Sequence, residues 1–200
     1  TINLLTVAGN GRIGISNSNP TVPLSFNGNL GDKISLLQWG TGHYGFGVVA
    51  ATLQMYVPSV NDDITFGYGN SSALTERMRI KGNGDVGIGT NAPTATLEVN
   101  GFTKLGSNAP AIKMLKLSGT TSNTQGFGVS IPHGLNIAKI LSVTVLVEKS
   151  ATNLLPPNAT AIGDEFSFQV TTSQITVTTR VANSANILSK PFRVLVTYEE

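Results

Sequence analysis

Along the last third of the chain, apolar and polar positions alternate in short runs. Phe166, Phe168 and Val170 alternate with Ser167 and Gln169, and Ile175, Val177 and Thr179 alternate with Thr176 and Thr178. Phe192, Val194, Val196 and Tyr198 alternate with Arg193 and Thr197. Successive side chains of a strand point to opposite faces, so each run places one apolar row on one face of a sheet. Leu141 to Val147 is almost continuously apolar, which predicts a strand buried on both faces. Helical periodicity is poor: no long window keeps apolar positions at i, i+3, i+4 and i+7. Ala73 to Arg79 and Gly134 to Leu141 have room for a turn or two of helix. Strands spaced by about 8–12 residues, with turn signals between them, predict an all-β chain ending in a β-sandwich.

The first half has a different texture. Its apolar segments are shorter and are interrupted by glycine. Gly-X-Gly and Asn-Gly pairs recur between Gly9 and Gly106, and such pairs mark tight turns that need positive φ. The cluster Gly106-Ser107-Asn108-Ala109-Pro110 has the composition of a linker. This predicts a region of short Gly-rich strands over residues 1–106 and a β-sandwich domain over residues 107–200.

The first region repeats itself. Residues 9–28 read GNGRIGISNSNPTVPLSFNG and residues 82–101 read GNGDVGIGTNAPTATLEVNG, identical at 10 of 20 positions without a gap. The shared residues are mostly conformational ones: Gly, Asn and Pro. The expected unit is a strand, an Asn-Gly turn, a Gly-Ile strand, a Pro-marked turn and a further strand around Leu97 to Val99. Gly11, Gly14, Gly84, Gly87 and Gly89 are read as its turn glycines. A unit with so few large apolar residues cannot bury a core alone and needs neighbours.

Composition narrows the class. Only 12% of the 200 residues are charged, about half the roughly 25% usual in soluble domains. The chain has 22 Gly, 23 Thr, 18 Asn and 17 Ser, and 40% of it is hydrophobic. Disorder requires low hydrophobicity and high net charge, so this composition fits many strands and turns. No stretch approaches the ~18 apolar residues of a membrane span. The absence of Cys excludes disulfides, thiolate zinc sites and Cys nucleophiles. Thirteen basic residues against 11 acidic ones, with no basic run, exclude a nucleic-acid footprint. No leader pattern opens the chain, which starts at Thr1 as a processed or partial chain would.

Several of these segments together have a familiar wording. The run Asp62-Asp63-Ile64-Thr65-Phe66-Gly67 is followed by Glu76-Arg77-Met78-Arg79-Ile80 and by Gly82-Asn83-Gly84-Asp85-Val86-Gly87-Ile88-Gly89-Thr90. Pro93 and Leu97-Glu98-Val99-Asn100-Gly101 complete it. This stretch, about residues 60–106 with a degenerate copy at 9–28, resembles modules of bacteriophage tail fibres and of trimeric fibre-like surface adhesins of bacteria. The resemblance implies a homotrimeric β-rich fibre, extracellular, carried on a virion or on a cell surface and joined to an upstream fibre or baseplate segment. It also implies that residues 107–200 form the distal head, which binds a host or target cell-surface glycan or protein. Many such fibres end in a self-cleaving chaperone domain; no charged helical segment of that kind ends this chain. An injection-system fibre and a polysaccharide depolymerase remain alternatives. Three-chain packing also accounts for sparse charge, because much of each chain's surface faces a sister chain.

The candidate chemistry is thin, and neither an enzymatic activity nor a cofactor is expected. Gly9 to Gly14 and Gly82 to Gly87 both spell G-x-G-x-x-G, but a dinucleotide site needs a helix to open there. Pro20 and Pro93 follow instead, so these are turns. Asp62 and Asp63 read as a solvated turn, and neither His43 nor His133 has metal-ligand spacing. An ion gathered on a trimer axis is left open. No G-x-S-x-G and no paired-carboxylate motif occurs. For receptor contact the candidates are Trp39 and Tyr44, because aromatic rings among Gly and Asn suit sugar faces. In the head, two apparent loops supply Asn153, Leu154, Leu155, Asn158, Asn183 and Asn186. For Trp39, Tyr56 and Phe66 the favoured reading is that they fill a sparse core.

Overall fold

The computed structural model describes residues 4–39 and 42–200; the side chains of residues 38 and 39 lie outside the described part. The chain is all-β, with no α-helix among the described residues. It divides into two compact units, Thr1–Asn100 and Gly101–Glu200.

Among the described residues, the first unit holds ten strands in three sheets: β1 (Leu5–Val7), β2 (Ile13–Ile15), β3 (Leu24–Phe26), β4 (Gly31–Trp39), β5 (Gly42–Val49), β6 (Thr52–Tyr56), β7 (Ile64–Asn70), β8 (Ala73–Ile80), β9 (Val86–Ile88) and β10 (Leu97–Val99). The sheets run β1-β2-β3, β4-β5-β6 and β10-β9-β8-β7. Ala73 to Arg79 is therefore strand, not helix. Thr75 and the alternating Met78 and Ile80 suit a pleated surface, and the Asn70 turn closes β7 against β8 as a hairpin.

The repeat recurs in structure, register for register. Ile13 pairs with Leu24 and Ile15 with Phe26 in one copy; Val86 pairs with Leu97 and Ile88 with Val99 in the other, 73 residues on. Both pairs are parallel. Their connections are only residues 16–23 and 89–96, whereas parallel strands ordinarily need a crossover of about a dozen residues or more. Glycine at the centre of the strand makes the short return possible. A Cβ on Gly14 would lie 2.0 Å from the Asn17 carbonyl oxygen, and one on Gly87 would lie 2.4 Å from the Thr90 carbonyl oxygen. The chain thus folds back over the strand's own backbone, and Pro20 and Pro93 are buried by the return. Gly14 and Gly87 are consequently strand glycines at a close approach, not turn glycines. Gly11, Gly84 and Gly89 do hold positive φ, at 81°, 97° and 70°.

The structural repeat also begins earlier than the sequence identity does. Leu5 pairs with Ile15 as Met78 pairs with Ile88, and Val7 with Ile13 as Ile80 with Val86. Between Leu4–Ala8 and Arg77–Lys81 the side chains differ, so only the backbone keeps the record.

Among the described residues of this unit, no large apolar side chain is buried. Gly14, Pro20, Ser25, Gly45, Gly47, Gly87 and Pro93 are its buried positions. Leu24, Leu97, Leu53 and Val60 stand well exposed.

The second unit is organised differently. Its strands are β11 (Thr103–Lys104), β12 (Ala111–Thr120), β13 (Gly128–Pro132), β14 (Ile140–Ser150), β15 (Asn153–Leu155), β16 (Phe166–Val170), β17 (Gln174–Thr179) and β18 (Pro191–Glu199). They form a five-stranded sheet, β11-β12-β18-β14-β15, and a three-stranded sheet, β13-β17-β16. Every pairing is antiparallel. One buried cluster, Val145, Val147, Phe166, Ile175, Val177, Ile187, Phe192, Val194 and Val196, joins the two sheets as a sandwich. Each such side chain contributes roughly 1.5–3 kcal/mol when fully buried, so this unit has the core that the first lacks.

Three sequence expectations change here. The cluster Gly106 to Pro110 closes the hairpin between β11 and β12, since Lys104 pairs with Ala111; the division falls at Asn100/Gly101. Leu141 to Val147 is buried on one face only: Val145 and Val147 are in the core, while Leu141 and Thr144 face outward. Gly134 to Leu141 supplies a single 3-10 turn, Ile137–Lys139, capped by the Asn136 side chain, before β14 begins.

Candidate functional site

Strand β5 carries the densest chemistry in the first unit. In GHYGFGVV, His43, Gly45 and Gly47 share one face, and Gly42, Tyr44, Phe46 and Val48 share the other. The two buried glycines leave a trough, and Tyr56, opposite Gly45 on β6, lies along it. A Cβ on Gly45 would come within 3.0 Å of Tyr56 Oη, and one on Gly47 within 3.4 Å of Tyr56 Cε1. The ring thereby reaches His43, with Oη 2.5 Å from Nε2, and the two rings meet edge to face. Asp32 Oδ2 stands 3.4 Å from the same nitrogen. Burial pushes the Tyr56 phenol above its ordinary value, and hydrogen bonding to Asp32 adds to this. Those three groups satisfy one another, so His43 acts as a structural hub between a phenol and a carboxylate.

The opposite face ends in a groove. Tyr44 Oη donates to Asp62 Oδ1, and Ser59 Oγ donates to Asp62 Oδ2 at 2.5 Å. The bond from Ser59, then that from Tyr44, hold the Asp62 carboxyl below the ordinary carboxylate range. The hydrogen bond to Asp62 is likewise what raises the Tyr44 phenol, with burial second. Asp62 is therefore an ordered, ionised acceptor rather than a solvated turn residue. Its neighbour Asp63 does another job: Oδ2 accepts from Arg79 at 2.6 Å and Oδ1 from the Gly82 amide at 3.1 Å. Arg79 also holds Glu76 through two bonds, at 3.0 and 2.6 Å, so Asp63 pins the entry to β7 onto the second repeat. Leu37, Gly42, Tyr44, Pro58, Ser59, Asn61 and Asp62 line a groove of about 600 Å³. Gly42 is what admits Pro58, whose Cβ would lie 2.8 Å from an added Cβ.

The other aromatic expectations divide. The side chain of Trp39 lies outside the described residues. Phe66 is exposed on β7 and fills no core within its own chain. Tyr68 stands beneath the Arg77 guanidinium at 5.2 Å.

In the second unit, the apparent loops are not free. Asn153, Leu154 and Leu155 form β15, an edge strand paired with β14, and Leu155 packs against the core. The two Leu and Asn at a strand edge look the same as a loop in a sequence bounded by prolines. Asn158 turns the chain at φ 59°, and its amide donates to the Phe166 carbonyl at 2.8 Å. Asn183 Oδ1 accepts from the Gly163 amide at 2.6 Å, while its Nδ2 donates to Glu165 at 3.0 Å. Asn186 Nδ2 donates to the Ile162 carbonyl at 3.1 Å and to Asp164 at 3.0 Å. Asp164 is itself buried and takes Lys149 Nζ at 2.6 Å. These amides build the 161–165 loop and have their hydrogen-bonding capacity largely occupied.

His133 is satisfied in the same way. Its Nδ1 accepts from the Leu135 amide at 3.0 Å and its Nε2 donates to the Thr171 carbonyl at 3.1 Å. Among the described residues no group of three His, Asp or Glu is arranged to hold a metal ion, and no helix is long and apolar enough to cross a membrane. Sequence reasoning overlooked Ser59, Asn61 and the glycine trough. The Ser-Val-Asn-Asp-Asp turn signals were visible, but only the fold brings them to Tyr44. No family model matches the chain, and no curated protein matches it.

Proposed function

We propose that this chain is the distal part of a homotrimeric fibre-like appendage, exported or virion-borne, that binds a cell-surface receptor of glycan type. The observation that carries this reading is the missing core of the first unit. Ile15 and Ile88 are 37% and 42% exposed, and Leu24 and Leu97 are 53% and 61% exposed, at equivalent positions of the two repeats. A unit of this size ordinarily buries most of its apolar surface; three chains wrapped about one axis give these rows a place to go. A virion fibre and a bacterial surface or injection-system fibre share this physics.

The carboxylates support binding over hydrolysis. Asp63, Glu76, Asp164, Glu165 and Glu148 each engage a basic side chain, and Glu98 accepts from the Thr94 amide and hydroxyl. Light scattering at micromolar concentration tests the assembly. A mass of three chains is expected, and a stable monomer overturns the fibre reading. A reducing-end assay on host polysaccharides tests for hydrolysis, with no released sugar expected.

A further inference from the structure

We infer that the groove beside Tyr44 on the first unit, and not the loops of the second, is the receptor-contact site, and that it takes a neutral sugar. The inference rests on the receptor reading above and adds the site and the ligand class.

The groove has the two ingredients that a pyranose requires. One is an apolar wall for the C–H face of the ring, here Tyr44, Leu37 and Pro58. The other is a row of fixed polar groups for the hydroxyls. Asp62 is oriented from both sides by Tyr44 and Ser59, which leaves its remaining lone pairs as acceptors. The Asn61 side chain is exposed at the rim and brings both a donor and an acceptor; its backbone amide is tied to Ser59 Oγ at 3.2 Å. The volume, about 600 Å³, falls within the roughly 300–1,000 Å³ of small-molecule sites. By contrast, Asn183 and Asn186 spend their amides on the 161–165 loop.

Charge selects the sugar class. No cationic side chain among the described residues pairs with Asp62, and none contributes to its ionisation. An unpaired carboxylate at the mouth repels uronic and sialic acids and accepts from neutral hydroxyls. The same charge keeps this end of the sheet face open, because covering it with a sister chain would strand a desolvated carboxylate without a cation.

The test is a glycan array probed with the full chain, carrying neutral hexose and N-acetylhexosamine termini beside uronic- and sialic-acid termini. Neutral ligands are expected to bind above acidic ones. Asn61→Ala, in an exposed turn, is expected to weaken binding about threefold to tenfold, and Tyr44→Ala more, with the oligomer mass unchanged. Val181→Ser, on the exposed surface of the second unit, leaves binding as it was. Sugar binding that survives both groove variants overturns the site while leaving the receptor reading intact. A preference for acidic termini overturns the ligand class, and a trimer that binds no sugar overturns the inference without touching the fibre assembly.

Discussion

Gly14 and Gly87 hold the same place in the two repeats, each at the centre of a three-residue strand with the chain folded back across it. An added Cβ would lie 2.0 Å from a carbonyl oxygen at the first and 2.4 Å at the second. Neither has positive φ, so the demand is for space, not for left-handed backbone. Because the clash is with backbone rather than with the end of a flexible side chain, it cannot be relieved by a rotamer change. Gly87→Ala and Gly14→Ala are each expected to cost about 1–3 kcal/mol or more. Gly28→Ala and Gly101→Ala, with nothing within 4 Å of the added atom, stay within about 0.5 kcal/mol. Urea unfolding of the four variants separates the two pairs.

In the second unit one ion pair, Lys149 with Asp164, is buried on one side. Asp164 is 2% exposed and receives Lys149 Nζ at 2.6 Å and Asn186 Nδ2 at 3.0 Å. The bond from Lys149 is the first cause of its lowered pKa, and burial opposes it. A carboxyl with a lowered folded pKa contributes stability above its ordinary value of 3.8 and loses it as pH falls through the folded value. Acidification below about pH 4 is therefore expected to weaken this unit. Lys149→Met leaves the carboxylate without its cation and is expected to cost about 2 kcal/mol at neutral pH. In Asp164→Asn the acid dependence flattens. Thermal melts of the three proteins across pH 3–7 check both statements.

How much of this was legible in the sequence follows from what each residue depends on. The strands β16, β17 and β18 were readable because one face of each packs on the core, so burial imposes the period of two. The repeat was readable because its shared turn glycines, Gly11 and Gly84, answer to local backbone conformation. Gly14 and Gly87 were visible as conserved spacing within the chain but not as strand centres, since their requirement comes from a carbonyl three residues on. Leu141 to Val147 misled because an outward Leu looks like an inward one. The groove was half legible: Tyr44 stood out, but Asp62 is its partner from 18 residues away across a turn, which no local pattern records. Asn183 and Asn186 looked like free loop amides because their partners lie near residues 161–165.

The phenol of Tyr56 gives a spectroscopic handle on the glycine trough. Its pKa is raised above 10.0, burial first and Asp32 second. A phenol whose folded value is raised adds stability that is complete below the ordinary value and is lost as pH rises through the folded one. Phenolate absorbance of the wild type minus that of Tyr56→Phe is thus expected to rise at a pH above 10. Gly45→Ala, whose Cβ would stand 2.2 Å from the Ile34 carbonyl oxygen and 3.0 Å from Tyr56 Oη, is expected to displace the ring and return that step towards the ordinary value. A step at the ordinary value in the wild type contradicts the trough packing.

Leu24 and Leu97 decide between a lone chain and an assembly. Within one chain they are 53% and 61% exposed, and a polar residue at such a position ordinarily changes stability by no more than about 0.5 kcal/mol. In a three-chain fibre the same side chains lose water on association, each worth roughly 1.5–3 kcal/mol when fully buried, and symmetry applies every loss three times. Leu24→Asn and Leu97→Asn together are therefore expected to shift the mass by light scattering from three chains towards one, and the melting transition, dependent on protein concentration in the assembly, is expected to lose that dependence in the dissociated variant. The sandwich unit keeps its own core of Val145, Phe166, Ile175 and Phe192, so its transition is expected to persist in the dissociated variant. An unchanged mass in the double variant, with wild-type stability, assigns these leucines to solvent and removes the argument for three-chain packing at the repeats.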